Sequence, residues 1–219
     1  MKYVCEHELR RRSVFLPLRN KKAQKQSDAM LVRSVSALTR RHLFSPPPFK
    51  LPLSRRKEYE EKRLVGFTAE EMFDVVACVS EYPQFVPWCR NAHVKILSPS
   101  VSIADLQIGF PPLLETYSSR ITTSKPTVVR SVCIDDRLFN LLDTTWHFGA
   151  GDPSNTRSCT LHFMLAFEFK SLLHSQLAHI FFDQVVRTMV TAFLKRAEIK
   201  YGPPSLDHFK TTTVIKKVS

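Results

Sequence analysis

The sequence predicts an α+β domain in which a strongly bent antiparallel sheet of about seven strands wraps around one long C-terminal helix. Three observations carry that expectation. Residues 159–170, CTLHFMLAFEFK, put Cys159, Leu161, Phe163, Leu165, Phe167 and Phe169 on one side and Thr160, His162, Met164, Glu168 and Lys170 on the other. A strand with that alternation lies against a core on one face and against water on the other. From Ser171 to Tyr201 there is no Gly or Pro, and Leu173, Leu177, Phe181, Val185, Met189, Phe193 and Ala197 recur every four residues before Gly202-Pro203-Pro204 stop the pattern. A helix of about 30 residues spans roughly 45 Å at 1.5 Å per residue, enough to cross a whole sheet. The third observation is the placing of two short helices directly after the first strand.

In chain order, KEYEEKRLVGF (57–67) reads as the first strand, and its heavy charge predicts an edge position. TAEEMFDVVACV follows, with Thr68 as N-cap, Glu70 and Glu71 in the first turn, and Met72, Val75, Val76 and Val79 at helical spacing. SEYPQF begins a second short helix with Ser80 as its cap, and Pro87 ends it. Six strands come next, at about 91–98, 102–110, 114–124, 127–135, 138–149 and 158–170. In the second of these, Ala104, Leu106, Ile108 and Phe110 oppose Asp105 and Gln107. This order of elements is that of the helix-grip, or START-like, fold.

The formal charge of the 219-residue chain is +12, but it is unevenly spread. Residues 1–56 carry 14 Lys and Arg against Glu6, Glu8 and Asp28, a net of +11, whereas the remainder carries a net of +1. A nearly neutral folded part offers no nucleic-acid footprint. From Ala29 to Lys57 there is no acidic residue, and MLVRSVSALTRRHLF (30–44) mixes Arg33, Arg40 and Arg41 with Leu31, Val35 and Leu38. That composition reads as a mitochondrial transit peptide. Met30 is a candidate start, because Glu6 and Glu8 upstream spoil the pattern. SPPPFKLP (45–52) reads as a stiff linker. The expected organisation is therefore 1–56 as transit peptide and linker, 57–205 as the folded domain, and 206–219 as a C-terminal tail. The five cysteines are scattered, without a CxxC pair, which fits reduced thiols better than a disulfide framework or a zinc site. No apolar run reaches the 18 residues of a membrane-spanning helix.

Within this order, the words EYPQFVPWC, IGFPPLLETYSSRIT, LFNLLDTTWHF and FEFKSLLHSQLAHIFFDQVV resemble the mitochondrial coenzyme Q-binding START-domain family, from about Lys57 to Pro203. That family is similar to bacterial polyketide cyclase/dehydrase proteins and to ribosome-association toxins. The resemblance implies a protein that binds ubiquinone as cargo, with no cofactor, at the matrix side of the inner mitochondrial membrane. It would support the respiratory chain and ubiquinone synthesis. The alternatives are a cyclase- or hydratase-type enzyme on the same fold, or a ribosome-associated relative. In two turns, Asp135-Asp136-Arg137 and Ser98-Pro99-Ser100, the sequence departs from the family.

The residues themselves give no catalytic signature. HExxH, GxSxG and Gly-rich phosphate loops are missing from the sequence. His162 falls on the wet side of its strand, and His174 and His179 are five apart, which splits them around a helix. His147 and Asp143 share a strand face that points outward. The wealth of aromatics, sixteen Phe and two Trp, suits a cavity of about 300–1,000 Å³ between a curved sheet and its helix. Trp146, Phe148, Phe163, Phe167, Leu173, Leu177, Phe181, Ala104 and Leu106 are the expected walls. Phe85, Trp88, Phe110, Pro111 and Leu113 are the expected portal and membrane rim. EYPQFVPWCRN (81–91), two prolines bracketing three aromatics, is then one lip of that portal.

Overall fold

The computed structural model describes residues 56–110, 113–206 and 212–215; the side chains of 110, 113, 172–184, 187 and 212–215 lie outside that description. The segment read as a transit peptide also lies outside it. In chain order the elements are β1 (Arg56–Val65), α1 (Ala69–Ala77), a 3₁₀ helix (Val79–Gln84), β2 (Cys89–Ser98), β3 (Val101–Phe110), β4 (Leu113–Ser124), β5 (Val128–Cys133), β6 (Phe139–Ala150), β7 (Cys159–Phe169), α2 (Leu172–Tyr201) and β8 (Thr212–Ile215). The strands form one antiparallel sheet in the order β2-β3-β4-β5-β6-β7-β1-β8. This is the helix-grip arrangement that the element order predicts.

Two expectations about the secondary-structure elements need correction. β1 is not an edge strand, because β8 pairs beyond it, from Glu60 opposite Ile215 to Arg63 opposite Thr212. Its charges do not all face water. Glu58, Glu60 and Lys62 take one side, while Tyr59, Glu61, Arg63 and Val65 take the other, and Glu61 is fully buried. Ser80 does not cap the second helix, which begins at Val79 after an N-cap at Cys78 that makes no side-chain bond. Ser80 is exposed inside it.

The Thr68 cap is as expected. Its hydroxyl accepts from the Glu71 amide at 3.1 Å, and the Glu71 carboxylate accepts from the Thr68 amide at 2.9 Å. This capping box satisfies two of the donors left over at a helix start. α1 then buries Met72, Phe73, Val75 and Val76. The Tyr82 hydroxyl donates to Val76 O at 2.7 Å, tying the 3₁₀ helix back to α1.

α2 ends at Gly202, whose φ of 85° takes the left-handed region that only glycine enters freely. Arg157, in the loop before β7, caps that end. It donates to Tyr201 O and Pro203 O, each at 2.9 Å, and to Glu71 at 3.2 Å. The Ser205 amide donates to Gly66 O at 2.9 Å, fastening the chain after α2 to the end of β1. The helix therefore lies along the inner face, where Val186, Val190, Phe193, Leu194 and Ala197 are buried with Phe163 and Leu161 of β7.

Cys89, Cys133 and Cys159 are free thiols, as expected. Cys78 departs from the expectation and is disulfide-bonded. Among the described residues no helix is long and apolar enough to cross a membrane.

A Cβ added at Gly66 would stand 2.3 Å from Leu206 N and 2.6 Å from Ser205 N, both backbone atoms. Gly66→Ala is expected to lower stability by about 1–3 kcal/mol, as overpacking does. Urea unfolding measures it; an unchanged midpoint would mean that residues 205–206 do not hold this position.

Candidate functional site

The inner face of the sheet is built by alternation, so each strand contributes every second residue to it. Register places Trp146 opposite Phe163, Phe163 opposite Glu61, Ala104 opposite Ser119 and Leu106 opposite Tyr117. Of the expected walls, Trp146, Phe148, Phe163, Phe167, Ala104 and Leu106 are buried together in one cluster. Leu173, Leu177 and Phe181 lie on the described backbone of α2, but their side chains are outside the described residues.

The Trp146 ring is held between Phe163, at 4.3 Å, and Phe193 of α2, at 4.8 Å. A second aromatic group sits toward the start of α2: Phe139 stacks on Phe169 at 4.7 Å and meets Tyr117 edge-on at 5.3 Å. Phe193, Tyr117 and Phe139 were not among the expected walls. Phe193 was legible in the four-residue stripe, and Tyr117 in its alternation with Ser119 and Ile121.

The two predicted lips come together through the backbone, since the Gly109 amide donates to Trp88 O at 2.9 Å. Trp88 is half-buried there. Beside it, Leu114 is 60% exposed. A Cβ at Gly109 would stand 3.0 Å from Arg90 Nε and 3.4 Å from Leu114 Cδ1, so a cation and an apolar side chain flank the hairpin. The side chains of Phe110 and Leu113, and Pro111 entirely, are outside the described residues. Phe85 does not point outward with the rim. Its ring meets Phe193 at 5.1 Å and Tyr82 at 5.7 Å, under the Arg196 guanidinium at 5.6 Å. Arg196 also donates to Glu81 at 3.0 Å and Gln84 at 2.9 Å. The stretch 81–91 is thus partly a clamp on α2 and partly a lip.

The polar groups of the inner face escaped the sequence reading. Glu61 accepts from the Tyr59 hydroxyl at 2.5 Å and from Arg63 Nε. Burial holds the Arg63 pKa below its ordinary value. Ser119 is fully buried, and its hydroxyl has no hydrogen-bond partner among the described residues. The signal for Glu61 and Arg63 was available: residues two apart in a strand share a face, so they follow Tyr59 inward.

Candidate nucleophiles are disfavoured by their surroundings. Burial, then Glu70 and Glu71, push the Cys159 thiol up to about 12, and burial raises Cys89 and Cys133. A thiol so raised carries almost no thiolate at neutral pH. Asp143 is taken by Arg130, at 2.5 Å, and forms no dyad with the exposed His147. His162 faces outward as expected and meets Glu60 at 2.7 Å. No group of three metal-ligating side chains occurs among the described residues. An open groove of about 420 Å³ beside the start of α1, lined by Thr68, Glu70, Thr127, His147 and Ser158 among others, lies apart from the aromatic inner face, sharing only Phe148 with it.

A curved sheet and a long helix enclosing an aromatic face with few polar groups define a helix-grip domain of the lipid-binding kind. The family model described as "Polyketide cyclase / dehydrase and lipid transport" matches residues 65–194. The chain belongs to this family and, within it, to the coenzyme Q-binding branch. It is 48% identical over 149 residues to "Coenzyme Q-binding protein COQ10 homolog B, mitochondrial" of Xenopus laevis, covering 68% of this chain and 61% of that one. It is 41% identical over 174 residues to "Coenzyme Q-binding protein COQ10, mitochondrial" of Drosophila melanogaster, covering 80% of this chain and 71% of that one. The chain thus spans about three-fifths of the frog protein's length. A solved START superfamily protein from Mycobacterium smegmatis superposes with a TM-score of 0.54 at 15% identity, over 66% of this chain and 99% of that one, which establishes the fold.

Because Phe193 touches Trp146, Tyr82 and Phe85 at once, Phe193→Ala should cost about 3–5 kcal/mol. It should also free residues 81–85 for hydrogen exchange. Unchanged protection in that segment would show that Arg196 and the Tyr82–Val76 hydrogen bond hold it without the ring.

Proposed function

We propose that the domain binds coenzyme Q in the space between its sheet and α2 and acts as a chaperone or carrier for it in mitochondria. It would work peripherally at the matrix side of the inner membrane, in support of the respiratory chain and of ubiquinone synthesis. The observation that carries this reading is the inner face itself: among the described residues, buried aromatic rings with a charge-balanced pair at Glu61 and Arg63, and a Cys159 thiol held far from its thiolate form. The names of the 41–48% identical relatives support the ligand and the organelle. The walls would be Trp146, Phe148, Phe163, Phe167, Ala104 and Leu106, with Leu173, Leu177 and Phe181 of α2. Trp88, Phe110, Pro111 and Leu113, joined by Leu114, would form the mouth.

An inward-facing acid is the feature that would favour an enzyme of the cyclase or hydratase kind. Glu61 is such an acid, but its carboxylate already accepts from a phenol and a guanidinium. Both of its oxygens are thus already engaged. The binding reading therefore stands ahead.

Burying apolar carbon contributes about 0.8 kcal/mol per CH₂, so each five-carbon unit of a prenyl tail offers roughly 3–4 kcal/mol on leaving water. A bilayer offers the tail nearly the same. Extraction then needs contact between the mouth and the membrane, and recognition of the ring.

Two outcomes follow. Lipid extracted from the purified chain should contain ubiquinone by mass spectrometry; extracts holding only phospholipid or fatty acid would sink the reading. Trp88→Glu and Leu114→Glu should each weaken flotation with liposomes, more so when the lipids are anionic, while the unfolding midpoint holds. Unchanged flotation would place the membrane contact elsewhere.

A further inference from the structure

β1 carries Tyr59, Glu61 and Arg63 onto the inner face, one above the other at two-residue spacing. The Glu61 side chain has no exposure, and that of Arg63 keeps 11%. Desolvating such a pair opposes folding, and apolar residues of similar volume are often as stable or more so. The fold alone therefore gives no reason for an ion pair here. A guanidinium has five N–H donors. One, Nε–H, goes to Glu61. The Nη groups are not among the buried side-chain atoms without a partner, and the side chain keeps some exposure, so they remain open to an incoming acceptor. The cluster is thus rich in donors yet electrically neutral.

We infer that the Nη groups of Arg63, held in place by Glu61 and Tyr59, donate to a carbonyl oxygen of a neutral headgroup, the ring of a prenylated benzoquinone. The inference rests on the quinone-binding reading above and gives that site its polar end. Neutrality selects the class of ligand. A carboxylate or phosphate head would bring a net negative charge beside Glu61 in a medium of low dielectric, where repulsion is strong. A quinone oxygen accepts hydrogen bonds and brings no charge. The neighbours suit a flat ring: Phe163 is the register partner of Glu61, its ring lies 6.1 Å from that of Tyr59, and Trp146 lies beyond it at 4.3 Å.

The same geometry orients the ligand. Glu61, Phe163, Trp146, Val129 and Thr123 are successive cross-strand partners. On β4, Thr123 is ten residues from Leu113 at the mouth, a run of about 33 Å at about 3.3 Å per residue. The ring lies deep, and a tail of several isoprene units trails toward the lip.

The test uses the full chain and a ubiquinone with a two-isoprene tail, its binding followed by tryptophan fluorescence. Arg63→Lys keeps the charge balance but loses the Nη fork. It should bind this quinone about tenfold or more weakly while its unfolding midpoint, and its binding of the same tail on an unsubstituted benzene ring, are unchanged. Glu61→Gln leaves the guanidinium charge unbalanced and should shift preference from the quinone toward oleate by about tenfold. On wild-type protein, which needs no variant to fold, the quinone should bind about tenfold more tightly than the benzene analogue. Equal binding of those two, or full quinone affinity in a folded Arg63→Lys protein, overturns the assignment and leaves the quinone reading intact. Wild-type protein that binds no quinone overturns both.

Discussion

The seating of α2 against the concave side of the sheet is the contact on which the remaining structure depends. A sheet with one apolar face must cover it, and here α2 does so together with the shorter α1, whose Met72, Phe73, Val75 and Val76 join the same core. The coverage is pinned most firmly at the C-terminal half. Phe193 reaches Trp146 across the interior, and Arg157 takes the Tyr201 carbonyl, one of those that a helix end leaves without partners, together with Pro203 O just beyond it. Arg157 also reaches Glu71, whose carboxylate belongs to the capping box at the start of α1. One guanidinium thus fixes the end of one helix to the start of another, and the Ser205 amide locks the same corner to β1.

That fixed corner explains the composition of 81–91. With α2 anchored, the chain between α1 and β2 has a helix face to pack on, and it does so with Tyr82 and Phe85 around Phe193. Arg196 covers the outside of the contact and holds Glu81 and Gln84. The second half of the stretch turns away to the β3–β4 hairpin, where Trp88 O meets the Gly109 amide. The prolines serve both halves, since a chain that cannot continue as a helix changes direction within a few residues.

Much of this was legible in the sequence wherever a periodicity recorded a solvent boundary. β7 alternates because one of its sides is wet, and α2 repeats every four residues because one of its sides is covered. The Thr68 cap was legible because its chemistry is local. What escaped was decided by partners distant in sequence. The charges of β1 suggested an edge, yet β8 covers that flank, and the run Thr211-Thr212-Thr213-Val214-Ile215 carried a strand signal in its β-branched residues. Glu61 and Arg63 looked solvated because pairing between two charges is invisible in composition. Their shared parity with Tyr59 was the trace left in the sequence. Phe85 was read as an outward ring because nothing nearby in the chain records the ring of Phe193, which closes over it beside Tyr82.

The polar cluster and the aromatic wall have different consequences for a lipid-binding domain. Aromatic surface accepts any greasy chain, and its affinity for a tail is matched by the bilayer that the tail would leave. Selectivity has to come from a group that is better satisfied in the protein than in the membrane. In hydrocarbon, a carbonyl oxygen has no donor, and a buried guanidinium supplies one at low dielectric, where a hydrogen bond is stronger. The same burial would make a lone guanidinium prohibitive, so a carboxylate must accompany it. Glu61 meets that need, and by doing so it also removes the net charge that would attract fatty acids and phospholipids. A balanced ion pair with its carboxylate buried and guanidinium donors open to a ligand is therefore of little use to stability, and would be well matched to discriminating one neutral lipid within a membrane full of anionic ones.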